Sequence, residues 1–254
     1  MGTYVLTGSA SGIGACLKSM LEKAGHTLVT VDLKNADIIA DLATADGRRT
    51  AIAAILARTS GAIDGFVPLA GLGGGVAQDE LITRLNYFGT VELVEGLRDA
   101  LAKNNGRVVL LCSHSAAMDY QDDEFIDCLL SGDEDRAVAR AADVAPGSHY
   151  MIAKRALAFW MRRHAMDFAR AGIRINAVAP GPINTPMTKP LFESDDYAAL
   201  MQAMMDITPQ QRPGEVEEVA GCIMFLLSDT ASYVHGAVLF IDGGYDAHAR
   251  QDHV

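Results

Sequence analysis

Thr3-Tyr4-Val5-Leu6-Thr7-Gly8-Ser9-Ala10-Ser11-Gly12-Ile13-Gly14 decides the fold, because it runs a short strand through a glycine-rich turn into a helix. Residues 3–7 read as the strand, and the helix begins at Gly12. Glycine permits a tight turn and a close approach of backbone. The helix start then offers unpaired N–H groups and a partial positive charge to a pyrophosphate. A glycine pattern alone is weak, but this one lies between strand and helix, where a dinucleotide-binding unit requires it. Gly8, Ser11, Gly12, Ile13 and Gly14 are therefore the candidate phosphate contacts. Gly73-Gly74-Gly75 opens no clear helix and reads as a loop.

The β-α rhythm continues along the chain. Strands are expected over residues 27–32, 37–40, 64–70, 107–112, 174–179 and 237–241. Helices are expected over 45–58, 79–103, 150–170 and 216–227. This alternation predicts a single α/β domain over residues 1–254, a doubly wound parallel sheet with helices on both faces. Arg107–Leu111, continuing into Cys112, is a continuous apolar run of the kind buried on both sides of such a sheet. Two segments break the rhythm. Residues 116–149 are an insertion with helical spacing at Phe125, Ile126, Leu129 and Leu130, and a second short helix from Glu134. Residues 185–213 hold Met187, Met201, Met204 and Met205 with Leu191, Phe192, Tyr197 and Leu200. Methionine is both a core filler and an adaptable apolar binding surface, and this segment follows a strand whose C-terminal end should face a ligand.

Half of the 254 residues are hydrophobic, and no uninterrupted apolar run reaches a bilayer's thickness. With no secretory or lipidation pattern at the start, the expected location is cytoplasmic. Cys16, Cys112, Cys128 and Cys222 form no C-x-x-C pair, and no histidine stands at metal-ligand spacing, so reduced thiols and no metal are expected. The formal net charge of −11 argues against nucleic acid and anionic membranes as partners. Much of the acidity falls between Asp119 and Asp143.

Asp32 closes the second strand about 20 residues past the glycine turn, where a carboxylate can accept hydrogen bonds from an adenosine ribose diol. The same charge repels a 2′-phosphate. No Arg or Lys stands at Ser9, Ala10, Ser11 or Leu33, with Lys34 the nearest cation, so NAD is expected over NADP. Asp41, followed by Leu42, could contact adenine or cap the next helix. Tyr150 and Lys154 are four apart on a helix and share a face. A nearby ammonium favours the phenolate and would pull a tyrosine pKa of about 10 towards neutrality, where acid–base work is efficient.

With the glycine turn, Asn86, Ser113, Tyr150 and Lys154 in chain order, the sequence resembles the short-chain dehydrogenases/reductases. The likeness continues through Ala70-Gly71, Leu85-Asn86-Tyr87-Phe88-Gly89, Pro180-Gly181-Pro182-Ile183-Asn184-Thr185 and Asp242-Gly243-Gly244. Within the family it is most similar to the bacterial hydroxysteroid dehydrogenase/carbonyl reductase type, in Lys23-Ala24-Gly25-His26, Ile39-Ala40-Asp41-Leu42, Ala231-Ser232-Tyr233-Val234-His235-Gly236-Ala237 and the long insertion. Pro68-Leu69-Ala70-Gly71 departs from the family's Asn-Asn-Ala-Gly, whose Asn side chains brace the central strands.

The resemblance implies an NAD-dependent oxidoreductase that interconverts a hydrophobic secondary alcohol and its ketone. A 3α-hydroxysteroid fits, as does a smaller terpene or aromatic compound. It implies Tyr150 as general acid/base, Lys154 tuning it and binding the nicotinamide ribose, and Ser113 holding the substrate oxygen with Ser115 as runner-up. It implies Asn86 in a kinked helix serving a water path. Ala70, Gly71, Pro180, Gly181, Ile183 and Thr185 would line the cofactor, Thr185 at its carboxamide, and Met187 the substrate. The family also implies a homodimer or homotetramer. His114 beside Ser113 is expected to be a packing residue. A non-catalytic NAD sensor and an interaction subunit built on the acidic insertion are the competing readings. Asp32→Ala is expected to narrow the preference for NAD over NADP; an unchanged ratio of kcat/KM for the two would place recognition elsewhere.

Overall fold

The structure, a computed structural model, describes residues 1–73, 79–118, 122–145, 147–189 and 198–252. Strands β1 (Thr3–Thr7), β2 (Thr27–Asp32), β3 (Ile38–Ile39), β4 (Gly65–Pro68), β5 (Arg107–Leu111), β6 (Arg174–Pro180) and β7 (Val238–Ile241) form one parallel sheet in the order β3-β2-β1-β4-β5-β6-β7. Alternate residues of each strand face opposite layers, and here both sets are apolar. Val5, Val29, Val31, Phe66, Val108, Leu110 and Ile175 pack into the core beneath α2 (Ala45–Arg58), α4 (Gly89–Gly96) and α8 (His149–Arg170). Tyr4, Leu6, Val67, Val109 and Val178 pack with residues of α1 (Gly12–Lys23) and α10 (Val216–Leu227). The strand order reverses between β1 and β4, which opens a crevice beyond their carboxyl ends.

The glycine turn lies at this reversal. Gly8 has φ +67, and a Cβ there would stand 2.6 Å from the Ala70 nitrogen at the exit of β4. A Cβ on Gly14 would stand 2.0 Å from the Gly8 carbonyl oxygen. Neither position tolerates a side chain. Pro68 ends β4 without an N–H, and β4 pairs β5 only at Gly65↔Arg107 and Phe66↔Val108. Bracing falls instead to Thr7, whose hydroxyl accepts from the Ala70 N–H at 3.0 Å.

One expectation changes. The single helix over 79–103 is broken into α3 (Asp79–Ile82), a π-helical turn (Thr83–Phe88), α4 and α5 (Arg98–Ala102). Gly96 ends α4 where a Cβ would lie 2.6 Å from Ile52, so close packing on α2 puts a poor helix former at the joint. The insertion forms α6 (Asp123–Leu130) and α7 (Glu134–Ala141) as expected, and its apolar stripe turns into the core. Phe125, Ile126 and Leu129 are buried in the core that contains Ile152, Ala156 and Leu157 of α8. In the later segment, Met201 and Met205 of α9 (Ala198–Ile207) are buried, while Leu191, Phe192, Tyr197 and the side chain of Leu200 lie outside what is described. A short helix, α11 (Tyr245–Ala249), follows two left-handed glycines; the Asp242 carboxylate accepts from the N–H groups of Gly244 at 3.0 Å and Asp246 at 2.8 Å.

Because Phe125 is wholly enclosed, Phe125→Ala is expected to lower unfolding free energy by about 3–5 kcal/mol. Denaturant unfolding measures this, and a loss under about 1 kcal/mol would show a loosely held insertion.

Candidate functional site

One cleft opens at the reversal point, and its walls hold nearly all the expected cofactor contacts. Gly8, Ser11, Gly12, Ile13 and Gly14 form one side. Ser11 caps α1 without a side-chain hydrogen bond, so the first N–H groups of that 12-residue helix are left for a ligand. Gly12 has φ +52 and faces Thr185 across a gap in which a Cβ would lie 3.7 Å from that side chain. The Asp32 carboxylate accepts from the N–H groups of Ala10 at 3.0 Å and Leu33 at 2.7 Å, which ties the end of β2 to the glycine turn. Asp41 lines the cleft and also closes a local turn, accepting from the Ala43 N–H at 3.0 Å. The helix cap itself is Thr44, whose hydroxyl accepts from Gly47. Leu42, Ala70, Gly71, Pro180, Gly181, Ile183, Thr185 and Met187 complete the expected lining.

At the other end, Ser113 lies two residues past β5 and caps a 3-10 turn (His114–Ala117). Its hydroxyl accepts from the Ser115 hydroxyl at 2.9 Å and from the Ser115 N–H at 3.3 Å. Ser115 therefore orients Ser113, and both serines stand just behind the cleft lining, next to Cys112. Tyr150, in the first turn of α8, hydrogen-bonds Ser113 and lines the cleft. Lys154 lies one turn on; its Nζ donates to the Leu111 carbonyl at 2.7 Å and stands 5.8 Å from the Tyr150 ring centre. Asn86 is fully buried in the π-helical turn. Its amide donates to the Leu72 carbonyl at 2.9 Å and accepts from the Leu72 N–H at 2.8 Å. That doubles as a clamp on the loop after Gly71, and a Cβ on Gly71 would sit 3.1 Å from Asn86 Oδ1 and 4.0 Å from Lys154 Nζ.

His114 is buried on a 3-10 turn, not on the strand, and its Nδ1–H donates to the Pro180 carbonyl at 3.1 Å. Its packing role stands, against Tyr245 of α11 at 5.0 Å. The hydroxyls of Thr185 and Thr188 lie 3.0 Å apart, and Thr188 also hydrogen-bonds the Ile183 carbonyl. Thr188, Leu72, Leu85, Leu111, Cys112 and Pro186 line the cleft without having been singled out in sequence. Their only signal is adjacency to the motifs. His149 was missed too: it is buried, its Nε2–H donates to the Ala141 carbonyl at 2.8 Å, and Nδ1 lies 2.9 Å from Asp79 Oδ1. It fastens the start of α8 beside Tyr150 to α7 and α3.

A family model described as enoyl-(acyl carrier protein) reductase matches residues 137–246. The chain is 37% identical over 255 residues to the 3-alpha-hydroxysteroid dehydrogenase/carbonyl reductase of Comamonas testosteroni, covering 98% of each. The chain belongs to the short-chain dehydrogenase/reductase family. The crystal structure of the 3-alpha-hydroxysteroid dehydrogenase from Pseudomonas sp. B-0831 complexed with NADH superposes with a TM-score of 0.93 at 40% identity, over 99% of this chain and 100% of that one. A coniferyl-alcohol dehydrogenase of Pseudomonas sp. is 29% identical over 250 residues, 94% of each chain.

In this member of the short-chain dehydrogenases/reductases, the electrostatics of the pair depart from the expectation read from its spacing. Burial pushes the Tyr150 phenol up, and the Ser113 hydrogen bond opposes that. No lowering by Lys154 offsets it, because burial acts on the lysine as well and depresses it to about 8. Its ammonium is directed to the Leu111 carbonyl. Cys112, next to Ser113, is pushed up to about 12 by burial and stays a thiol. Unfolded, Lys154 keeps its proton up to 10.5; folded, it releases it near 8. The unfolded chain therefore binds more protons in that window, and this group adds stability as pH rises through it. Compared with Lys154→Met, the parent protein is expected to gain roughly 3 kcal/mol between about pH 8 and 10.5 in urea unfolding. A gap independent of pH would show that burial does not perturb the lysine.

Proposed function

We propose that this chain is an NAD-dependent oxidoreductase that interconverts a hydrophobic secondary alcohol and its ketone, with a 3α-hydroxysteroid as the substrate class. One observation carries the reading: the cleft that begins at the glycine turn and Asp32 ends at Tyr150, hydrogen-bonded to Ser113 with Lys154 behind it. The cradle fits a dinucleotide, since Gly8 and Gly14 admit backbone where a Cβ would collide and α1 presents an uncapped N-terminus. The two hydroxysteroid dehydrogenases reported above, one of them holding NADH, support the cofactor and the substrate class.

NAD, when bound, supplies the hydride chemistry. Gly8, Ser11, Gly12, Ile13 and Gly14 would hold its pyrophosphate, Asp32 the adenosine ribose diol, and Asp41 and Leu42 the adenine. Ala70, Gly71, Pro180, Gly181 and Ile183 would flank the remainder, with Lys154 at the second ribose and Thr185 at the carboxamide. Tyr150 takes the alcohol proton during oxidation and returns it during reduction. Ser113 holds the substrate oxygen, and the Ser115 hydroxyl keeps Ser113 aimed. Asn86 holds the Leu72 backbone beside Lys154. Leu72, Leu85 and Met187 give the cleft an apolar wall suited to a hydrocarbon skeleton and unsuited to polyols. A smaller aromatic or terpene alcohol is the second reading, favoured by the likeness to a coniferyl-alcohol dehydrogenase. We assign the described parts of the 185–213 segment, residues 185–189 and 198–213, as the cover of the substrate, a homodimer or homotetramer as the assembly, and the cytoplasm as the location.

NADH formation from NAD, with NADP in parallel, across 3α- and 3β-hydroxysteroids, aromatic and terpene alcohols and polyols tests the assignment. Turnover of 3α-hydroxysteroids with NAD is expected, and activity confined to smaller alcohols would discard the steroid. Tyr150→Phe is expected to keep NADH binding while turnover falls by at least about 10²-fold. Substantial residual activity would remove Tyr150 from proton transfer, and a parent that binds NADH but turns over nothing would favour a sensor.

A further inference from the structure

Arg48 of α2 is a fully enclosed charged side chain far from the reacting end, and the proposed chemistry gives it no task. Its Nε donates to Glu92 Oε2 at 2.6 Å and its Nη2 to Glu92 Oε1 at 3.1 Å, a bidentate grip on α4. The same Nη2 reaches Glu134, the first residue of α7 in the insertion. Nη1 donates to the Leu42 carbonyl at 3.3 Å. Glu134 is shared: its other oxygen accepts from Arg84 of the π-helical turn at 2.9 Å, and Arg84 Nε donates to Glu80 at 3.0 Å. One guanidinium thus joins α2, α4, the insertion and the cleft.

Leu42 is the member of that set that touches the ligand space. It is buried, lines the cleft and follows Asp41. On its far side the carbonyl abuts α4, where a Cβ on Gly89 would come within 3.1 Å of it. The Leu42 side chain is packed in the core, but among the described residues the other hydrogen bonds of the 41–44 turn are short-range, linking Asp41 with Ala43 and Thr44. Arg48 gives its carbonyl side a hydrogen bond that runs on, through Glu92 and Glu134, to α4 and the insertion. Stability is a poor account of such a cluster, because buried ion pairs are often matched by apolar residues of similar size. A planar fork does what an apolar residue cannot, since it fixes direction at several acceptors at once.

We propose that Arg48 is a positioning residue for the adenine end of NAD, holding the Asp41-Leu42 turn through the Leu42 carbonyl while Glu92 and the insertion's Glu134 hold the guanidinium. This rests on the reading of the cleft as an NAD site. It gives the 116–149 insertion a task at the cofactor end: it stands behind the wall of the cleft instead of covering its mouth.

The test is the affinity of purified Arg48→Lys and Glu134→Gln for ADP-ribose and for NADH, with thermal unfolding alongside. Lysine keeps the charge and loses the fork; Glu134→Gln keeps an acceptor and loses the charge. Arg48→Lys is expected to raise Kd for both ligands by a common factor of about ten, equivalent to ~1.4 kcal/mol. Glu134→Gln is expected to raise both by about threefold. Should Arg48→Lys fail to fold, Glu92→Gln carries the same expectation at about threefold. Folded variants that bind ADP-ribose as the parent does, even with a lower Tm, would overturn the proposal. So would a loss confined to NADH, which would put the effect at the nicotinamide end. A parent that binds neither ligand would overturn the NAD reading itself, and this inference with it.

Discussion

Everything at the site depends on two places where the chain can carry no side chain. The Gly14 position faces the Gly8 carbonyl at a Cβ distance of 2.0 Å, and the Gly8 position faces the Ala70 nitrogen at 2.6 Å. Only there can the end of β1, the start of α1 and the exit of β4 meet. That meeting sets α1 on the sheet, where Leu17 and Leu21 fill the layer beneath α10. It also leaves an uncapped helix terminus beside the Asp32 carboxylate. A methyl group at either position would move the helix before it removed any ligand contact.

The reacting end is governed by desolvation. Tyr150, Lys154 and Cys112 lie together, and burial favours the neutral form of each. A hydrogen bond opposes that tendency at Tyr150 alone, from Ser113, while Lys154 and Cys112 oppose it only through each other. Ser115 donates to Ser113, Ser113 meets Tyr150, and the Leu111 carbonyl receives the lysine. Each donor is fixed by regular backbone, Ser115 in the 3-10 turn after β5 and Lys154 in the second turn of α8, so these groups are held by the fold itself.

The sheet and most helices were legible because their signals are local. Val5, Phe66 and Val108 lie in short runs of strand formers, and the glycines punctuate them. Tyr150 and Lys154 declared themselves by spacing, and the cleft gathers the remaining motif residues except those held just behind it. What sequence could not give was distance in the third dimension. The i, i+4 rule brought phenol and ammonium to one face but could not say that both would be desolvated, nor that a carbonyl on β5 would claim the lysine. The stripe at Phe125, Ile126 and Leu129 declared a buried face without naming what buries it. The joint at Leu97 comes from packing of Gly96 on Ile52, a contact 44 positions apart in sequence. Arg48 carried no motif at all, because its partners Leu42, Glu92 and Glu134 come from three separate stretches.

Pro68 has a mechanical consequence. β1 meets β4 over four residue pairs and β5 meets β6 over five, whereas β4 meets β5 over only two. Apart from the edge strand β3, which also meets β2 over two pairs, the sheet is laced most thinly along that line. The glycine turn and Asp32 belong to the raft on one side, Ser113 and Pro180 to the raft on the other. Helices clamp the two from above and below, so the seam bends only as far as side-chain packing yields. The gap between the two ends of the cleft is therefore held more by the layers of helices than by backbone pairing along that seam.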